Sequence, residues 1–258
     1  MAANKMVKDA NKFLLDAAGN ESVEGVNAAL EAGADIDFDQ LTNWSPGEDT
    51  SLPPCTALFI ACLSGHVDVV KLLLRKGASV VGRTSGTKVP LHGAAANGRT
   101  EVVELLVRHG ATLDVRDGFK NTPLMYAAAS NHVDTVRRLI ELGARPDITG
   151  GYIAQRLWKE VENPDTVEES VKLIHEARKT KLLRCCNPKC GKPGYRKTLK
   201  LCGRCKLTRY CSRDCQTQHW SVGHKKCCGH DVYTDDRPDP FQSVQKLLMY
   251  INEHEQKT

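Results

Sequence analysis

Apolar positions in the first two-thirds of the chain fall in two alternating arrangements. One is a short block with few polar breaks, as in TALFIAC, VPLHGAA and TPLMYAA. The other is a longer amphipathic run, clearest in HVDVVKLLLRKG, where Val69, Val70, Leu72, Leu73 and Leu74 are apolar. Apolar recurrence at three- and four-residue steps predicts a helix with one buried face. Gly77 follows at the position where a left-handed residue ends a helix, and Arg75 and Lys76 occupy the last turn, facing the negative end of the dipole. In the third block Thr122 is a candidate N-cap and Pro123 suits the first helical position. The pattern predicts paired helices, one rich in small residues and one amphipathic.

The pairing is periodic. Gly-Ala recurs at Gly33-Ala34, Gly77-Ala78, Gly110-Ala111 and Gly143-Ala144, the last three spaced by 33 residues, and Leu58, Leu91 and Leu124 keep that spacing. A period in this range marks stacked supersecondary units. Over roughly residues 10–177 the chain resembles ankyrin repeats. The resemblance implies a mainly α solenoid, with residues 1–177 as a domain of about three full repeats plus terminal caps. It also implies protein recognition through loop tips and the concave helix face. FLLDAAGNESVEGVNAALEAGA lacks the TPLH-like start and reads as the N-terminal cap. YIAQRLWKEVENPDTVEESVKLIHEARK reads as two closing helices broken at Asn163-Pro164.

From Gly33 to Gly77 is 44 residues, eleven more than the period, and the excess falls in the 38–54 segment with Trp44. It is either a contact loop or a tolerated surface loop. His66, His92, His109 and His132 occupy repeat positions where histidine serves turn hydrogen bonding rather than catalysis. Cys55 and Cys62 belong to no ligand pair and read as small core or near-surface residues.

Between Cys185 and Cys228 the character changes: nine cysteines, with His219 and His224, fall within 44 residues as CCNPKC, CGRC, YCSRDC and HWSVGHKKCC. So few apolar residues cannot bury a sufficient core, and bound metal must supply the folding energy. The whole segment, with its YCS, CQ, HW and GHK signatures, resembles the MYND zinc finger. The resemblance implies two zinc ions held by interleaved pairs. Site one is then Cys185 or Cys186 with Cys190, Cys211 and Cys215, and site two is Cys202, Cys205, His224 and Cys228. Closed four-coordinate sets are structural rather than catalytic. Cys185 is favoured over Cys186 because it leaves Asn187-Pro188 central in the knuckle, while Cys227 falls outside the set and His219 is expected at the surface. The interval from Cys215 to His224 is one residue longer than the shortest family form, through Gly223. The resemblance further implies binding of a proline-rich peptide by Gln216 and Trp220, which share one helical face.

Composition adds the setting. No apolar run is long enough to span a bilayer, and MAANKMVKDANKF lacks the apolar core of a secretory signal. The expectation is an intracellular, cytoplasmic or nuclear monomer without a membrane partner, where clustered cysteines signify metal rather than disulfides. The net charge of +5 hides a division. Residues 1–177 carry 18 basic and 24 acidic side chains, residues 178–230 carry 15 and one, and residues 231–258 carry three and six. The sign change supports a boundary near Arg178, and the basic segment makes nucleic acid the second-choice partner. Residues 229–258 read as an acidic linker followed by a short C-terminal helix carrying Phe241, Val244, Leu247, Leu248 and Ile251. MYND fingers also occur in lysine methyltransferases, but these residues leave no room for such a domain. The chain reads as a non-enzymatic protein–protein interaction adaptor; the alternative is a nucleic-acid-associated regulator.

Overall fold

The computed structural model describes residues 2–39, 55–84, 87–148, 150–160, 168–180, 182–205 and 207–228. The inserted loop with Trp44, the break at Asn163-Pro164 and the expected C-terminal helix lie outside these residues.

Helices come in stacked pairs. They are α1 (Ala2–Gly19) with α2 (Val23–Glu31), α3 (Ala57–Ser64) with α4 (Val67–Lys76), and α5 (Pro90–Ala96) with α6 (Thr100–Arg108). The series continues with α7 (Pro123–Ala129) and α8 (Val133–Leu142), and is followed by α9 (Tyr152–Glu160), which packs on α7, and α10 (Glu169–Thr180), which packs on α8. First helices pack on first helices in chain order, and second on second. The period explains this: Leu58, Leu91 and Leu124 are buried, and Ala61, Ala94 and Ala127 have no exposed surface between them. A methyl-sized side chain lets neighbouring helices approach closely. On the second helices Val70, Val103 and Val136, with Leu73, Leu106 and Leu139, form the matching fully buried row. Stacking makes one continuous core from units that could not bury their apolar faces alone.

Local chemistry sets the ends. Gly77 adopts φ 97°, and its N–H donates to the carbonyls of Leu73 and Leu74. Thr56 caps α3 by accepting from the Phe59 N–H at 3.3 Å. Thr122 takes the extended N-cap backbone before α7, and its N–H donates to the Met125 sulfur at 3.4 Å.

The repeat histidines fasten neighbouring backbones. His66 Nε2 donates to the Gly19 carbonyl at 2.9 Å, and His132 Nε2 to the Ala96 carbonyl at 3.0 Å. His92 Nδ1 accepts from the Val89 N–H at 3.1 Å, which leaves Nε2 to donate to the Asn121 carbonyl at 3.2 Å. Burial lowers the His92 pKa to about 4 and so preserves that neutral tautomer. His109 Nδ1 bonds the Leu105 carbonyl of its own helix at 2.8 Å. Cys55 and Cys62 are buried, and burial pushes the Cys55 thiol up to about 11.

Asp114 is the costly member of the stack. Its Oδ1 accepts from the Arg145 N–H at 2.8 Å, but Oδ2 is buried without a partner. Burial pushes its carboxyl up to about 7, against the opposing pull of the Arg145 N–H. A raised folded-state pKa means that the folded chain holds a proton between about 4 and 7 where the unfolded chain releases it. Stability is therefore lost as pH rises through this window. Asp114→Asn should flatten the decline, so that denaturant unfolding at pH 7.5 finds the variant more stable by a few kcal/mol and at pH 4 nearly equal. His92 acts in the opposite sense, so the comparison is made between variant and parent at each pH. Equal stability gaps at both pH values would mean that Asp114 does not titrate as described.

After α10 the chain enters the cysteine-rich part almost at once. Strands β1 (Leu182–Arg184) and β2 (Pro193–Tyr195) pair antiparallel with Leu183 opposite Gly194, and β3 (Lys200–Leu201) pairs with β4 (Arg209–Tyr210). Helix α11 (Arg213–His219), a kinked turn (Trp220–His224) and α12 (Lys225–Cys227) follow. The sign change at Arg178 falls within the last turn of α10, where Arg178 and Lys179 complement the helix dipole. No helix among the described residues is long and apolar enough to cross a membrane.

Candidate metal centres

Each ligand pair is held by a short turn. The first follows β1: the Cys190 N–H donates to the Asn187 carbonyl at 2.9 Å, and Asn187 Oδ1 accepts from the Lys189 N–H at 3.0 Å. The Asn-Pro turn thus returns Cys190 towards Cys185. In the second knuckle the Cys202 N–H donates to the Thr208 carbonyl at 2.9 Å. Ser212 caps α11 by accepting from the Cys215 N–H at 3.2 Å, which fixes Cys215 one turn inside the helix beside Cys211.

These turns gather two quartets. The ligand atoms of Cys185, Cys190, Cys211 and Cys215 all lie within 4.8 Å of one another, as do those of Cys202, Cys205, His224 and Cys228. Within the first, Cys190 and Cys211 sulfurs are 3.6 Å apart and Cys211 and Cys215 sulfurs 3.5 Å apart. Within the second, Cys202 and Cys228 sulfurs are 3.6 Å apart, and Cys205 Sγ is 3.6 Å from His224 Nε2. A tetrahedral zinc with Zn–S bonds of about 2.3 Å separates its sulfurs by roughly 3.8 Å. The spacing and donor chemistry of both quartets therefore fit zinc, and the expected pairing of first with third and second with fourth is the one observed. The second quartet is wholly buried; in the first, Cys190 is exposed and Cys211 and Cys215 are half-buried.

Thiol ionisation needs help in these surroundings. Burial pushes Cys228 up to about 12 and raises Cys185. Burial also opposes ionisation of Cys202, but the Cys205 and Arg204 N–H groups and the His224 ring outweigh it, and the net shift is downward. A divalent cation held by each quartet would supply the compensating charge.

Adjacent residues diverge at Cys185 and Cys186. Cys185 joins the quartet, whereas Cys186 turns to the stack: its Sγ accepts from the Arg209 N–H at 3.3 Å and lies 3.9 Å from the Gly143 carbonyl. His219 is not at the surface, contrary to the sequence expectation. It is 1% exposed, with Nδ1 2.9 Å from the Tyr210 hydroxyl, and its ring stacks on His224 at 5.1 Å. The reason is helical spacing, since His219 lies four residues after inward-facing Cys215. Gln216 and Trp220 lie on the neighbouring face, half-buried, and with Arg213 and Thr217 they line an open cleft. Trp220 also contacts the site from outside, edge-on to His224 at 5.9 Å. Ser212, Asn187, Thr208 and Tyr210 complete the supporting shell; the sequence pointed to the Asn-Pro turn alone, although a serine at the start of a helix is a signal that finds Ser212.

The described residues thus define a helical repeat stack joined to a closed two-site cysteine/histidine module. Family comparison agrees. A profile described as ankyrin repeats matches in three copies across residues 14–117 and 82–150, and the MYND finger profile matches residues 185–228. The ankyrin match covers more than half of the chain, and the chain belongs to the ankyrin-repeat proteins, with a C-terminal MYND zinc finger. Ankyrin repeats and MYND fingers are protein-interaction domains, and the MYND finger binds zinc.

Curated relatives match over short segments. They include ubiquitin carboxyl-terminal hydrolase 19 of Arabidopsis thaliana, 49% identical over 49 residues, covering 19% of this chain and 7% of the relative. Ubiquitin carboxyl-terminal hydrolase 17 of the same organism is 41% identical over 46 residues, covering 18% of this chain and 6% of its own. A SET and MYND domain-containing protein of Dictyostelium discoideum is 55% identical over 31 residues, covering 12% and 6%. The chain thus spans less than a tenth of the relatives it matches, and the deubiquitinases match only through the MYND region.

Proposed function

We propose that this protein is a non-enzymatic adaptor whose ankyrin stack binds one protein and whose zinc finger binds a proline-rich segment of another. In this reading Cys185, Cys190, Cys211 and Cys215 hold one zinc, Cys202, Cys205, His224 and Cys228 hold the second, and Gln216 and Trp220 contact the peptide. The observation that carries it is the cleft: Arg213, Gln216, Thr217 and Trp220 stand at steps of three, one and three residues along one face of α11, outside both quartets. A proline-rich segment is already extended and loses little entropy on docking, and a half-exposed indole offers it an apolar face. Residues 1–177 form the partner-binding stack, and 185–228 the finger.

The nucleic-acid alternative rests on the basic charge of residues 178–230, part of which is already engaged. Arg196 pairs with Asp147 of the stack, and Arg209 is buried with its guanidinium on the Arg196 and Leu199 carbonyls. The two readings separate in a binding titration with a proline-rich peptide and with random duplex DNA at rising salt. Peptide affinity should change little between 50 and 200 mM salt, on the order of twofold, whereas phosphate-driven DNA binding with several contacts falls by about 10³. Tight DNA binding at the higher salt, with no measurable peptide binding, would reverse the assignment.

A further inference from the structure

We infer that Gly223 docks the zinc finger onto the repeat stack, so that metal-dependent folding of the finger is transmitted to the ends of α6 and α8. The inference goes beyond the adaptor reading and does not depend on peptide binding.

It begins with the interruption of α11. Residues Trp220–His224 join α11 to α12 across a kink, at which the backbone of Gly223 leaves the helical region. The turn keeps His224 facing Cys205 and presses the backbone of Gly223 against the stack. A Cβ on Gly223 would overlap the carbonyl oxygen of His109 and lie 2.8 Å from its carbonyl carbon. From the other side, a Cβ on Gly110 would lie 2.6 Å from both the Gly223 Cα and the His224 backbone nitrogen. Each glycine is thus required by the other's backbone. Gly223 has φ 164°, an extended value open to any residue, so space alone demands glycine there.

A second contact engages the next repeat. A Cβ on Gly143 would meet the Arg184 carbonyl oxygen at 3.2 Å, Cys186 packs on the Gly143 carbonyl, and Arg196 pairs with Asp147. Gly77 supplies the contrast: it holds the same Gly-Ala position with φ 97°, and a Cβ there would meet nothing within 4 Å. In the first unit glycine serves only the helix end, whereas in the second and third it also receives the finger. Gly223 directly precedes His224, and Cys186 directly follows Cys185, so each quartet has a residue bonded to the interface. The buried apolar core is correspondingly continuous, running from Leu106, Leu139 and Ala144 to Cys186, Cys202 and Tyr210.

The test uses the full-length protein and hydrogen exchange resolved by mass spectrometry, with zinc counted in parallel. Gly223→Ala should retain two zinc ions while amides in residues 105–115 exchange about tenfold faster. Gly110→Ala, made on the stack, should raise exchange in residues 219–226 of the finger, and Gly77→Ala, which bears the same backbone strain, should not. A zinc chelator added to the parent protein should reproduce the rise at 105–115 and extend it to 139–148. Parental exchange at 105–115 under chelation overturns the inference. So does a Gly110→Ala variant whose finger exchanges like that of Gly77→Ala, and this second variant decides the matter even if Gly223→Ala loses metal.

Discussion

Serine in place of Cys205 should leave the purified protein with one zinc ion, where the parent holds two. Cys205 is buried within the second quartet, 3.6 Å from the imidazole Nε2 of His224, and a serine hydroxyl is a poor zinc ligand that does not ionise at neutral pH. The effect should be large, because a structural zinc contributes about 10–16 kcal/mol to a small metal domain, comparable with the whole stability of a typical fold. Chelation should accordingly unfold residues 185–228 and loosen only the docked ends of α6 and α8, leaving most of the helical signal of the repeats. Native mass spectrometry and circular dichroism together report both outcomes. The neighbouring pair of cysteines sharpens the assignment. Cys185→Ser should cost the first zinc, and Cys186→Ser should keep both, because its sulfur faces the Arg209 N–H rather than the quartet. The reverse pattern would exchange their roles, and a parent protein carrying one zinc would remove the two-site assignment.

Trp220→Ala should weaken binding of a proline-rich partner at least thirtyfold, or ~2 kcal/mol, while both zinc ions remain. The indole is half-buried: one side meets His224 edge-on at 5.9 Å and the other lines the cleft with Gln216. Truncation removes the apolar face that a proline ring would cover. Metal content separates this loss from collapse of the finger, since Trp220 belongs to neither quartet. Gln216→Ala should weaken binding less, through a lost hydrogen bond worth about 1 kcal/mol. Partner affinity that survives Trp220→Ala but collapses with added salt would transfer the function to the basic surface.

Much of this architecture is legible in the sequence, because its determinants are local or periodic. The 33-residue spacing of Gly-Ala pairs and of Leu58, Leu91 and Leu124 specifies the stack, since each unit repeats the same burial problem. The zinc ligands are legible because a tetrahedral site draws on pairs held by tight turns, and turns have short, fixed spacings. The inward position of His219 was also available from its distance to Cys215, but a histidine beside a solvent-facing tryptophan reads as polar surface. What the sequence does not display are contacts between distant segments. Gly110 reads as one more member of the Gly-Ala series and Gly223 as one extra residue between Cys215 and His224, and their meeting across more than one hundred positions leaves no periodic trace. The separate fate of Cys186 and the strained burial of Asp114 belong to the same category: each depends on what the finger and the next repeat bring to it.

One residue separates the end of α10 at Thr180 from the start of β1 at Leu182. Bivalent proteins joined by a flexible tether bind any pair of targets that diffuse within reach, with an effective concentration that declines gently with tether length. A junction this short behaves as a ruler instead. If the stack and the α11 cleft each hold a partner, as proposed, they present them at a set distance and angle, so a complex whose two targets are already correctly spaced would be captured with high avidity, and one with other spacing would gain nothing from the second site. In that reading selectivity would reside in the geometry between the two contacts as much as in either contact.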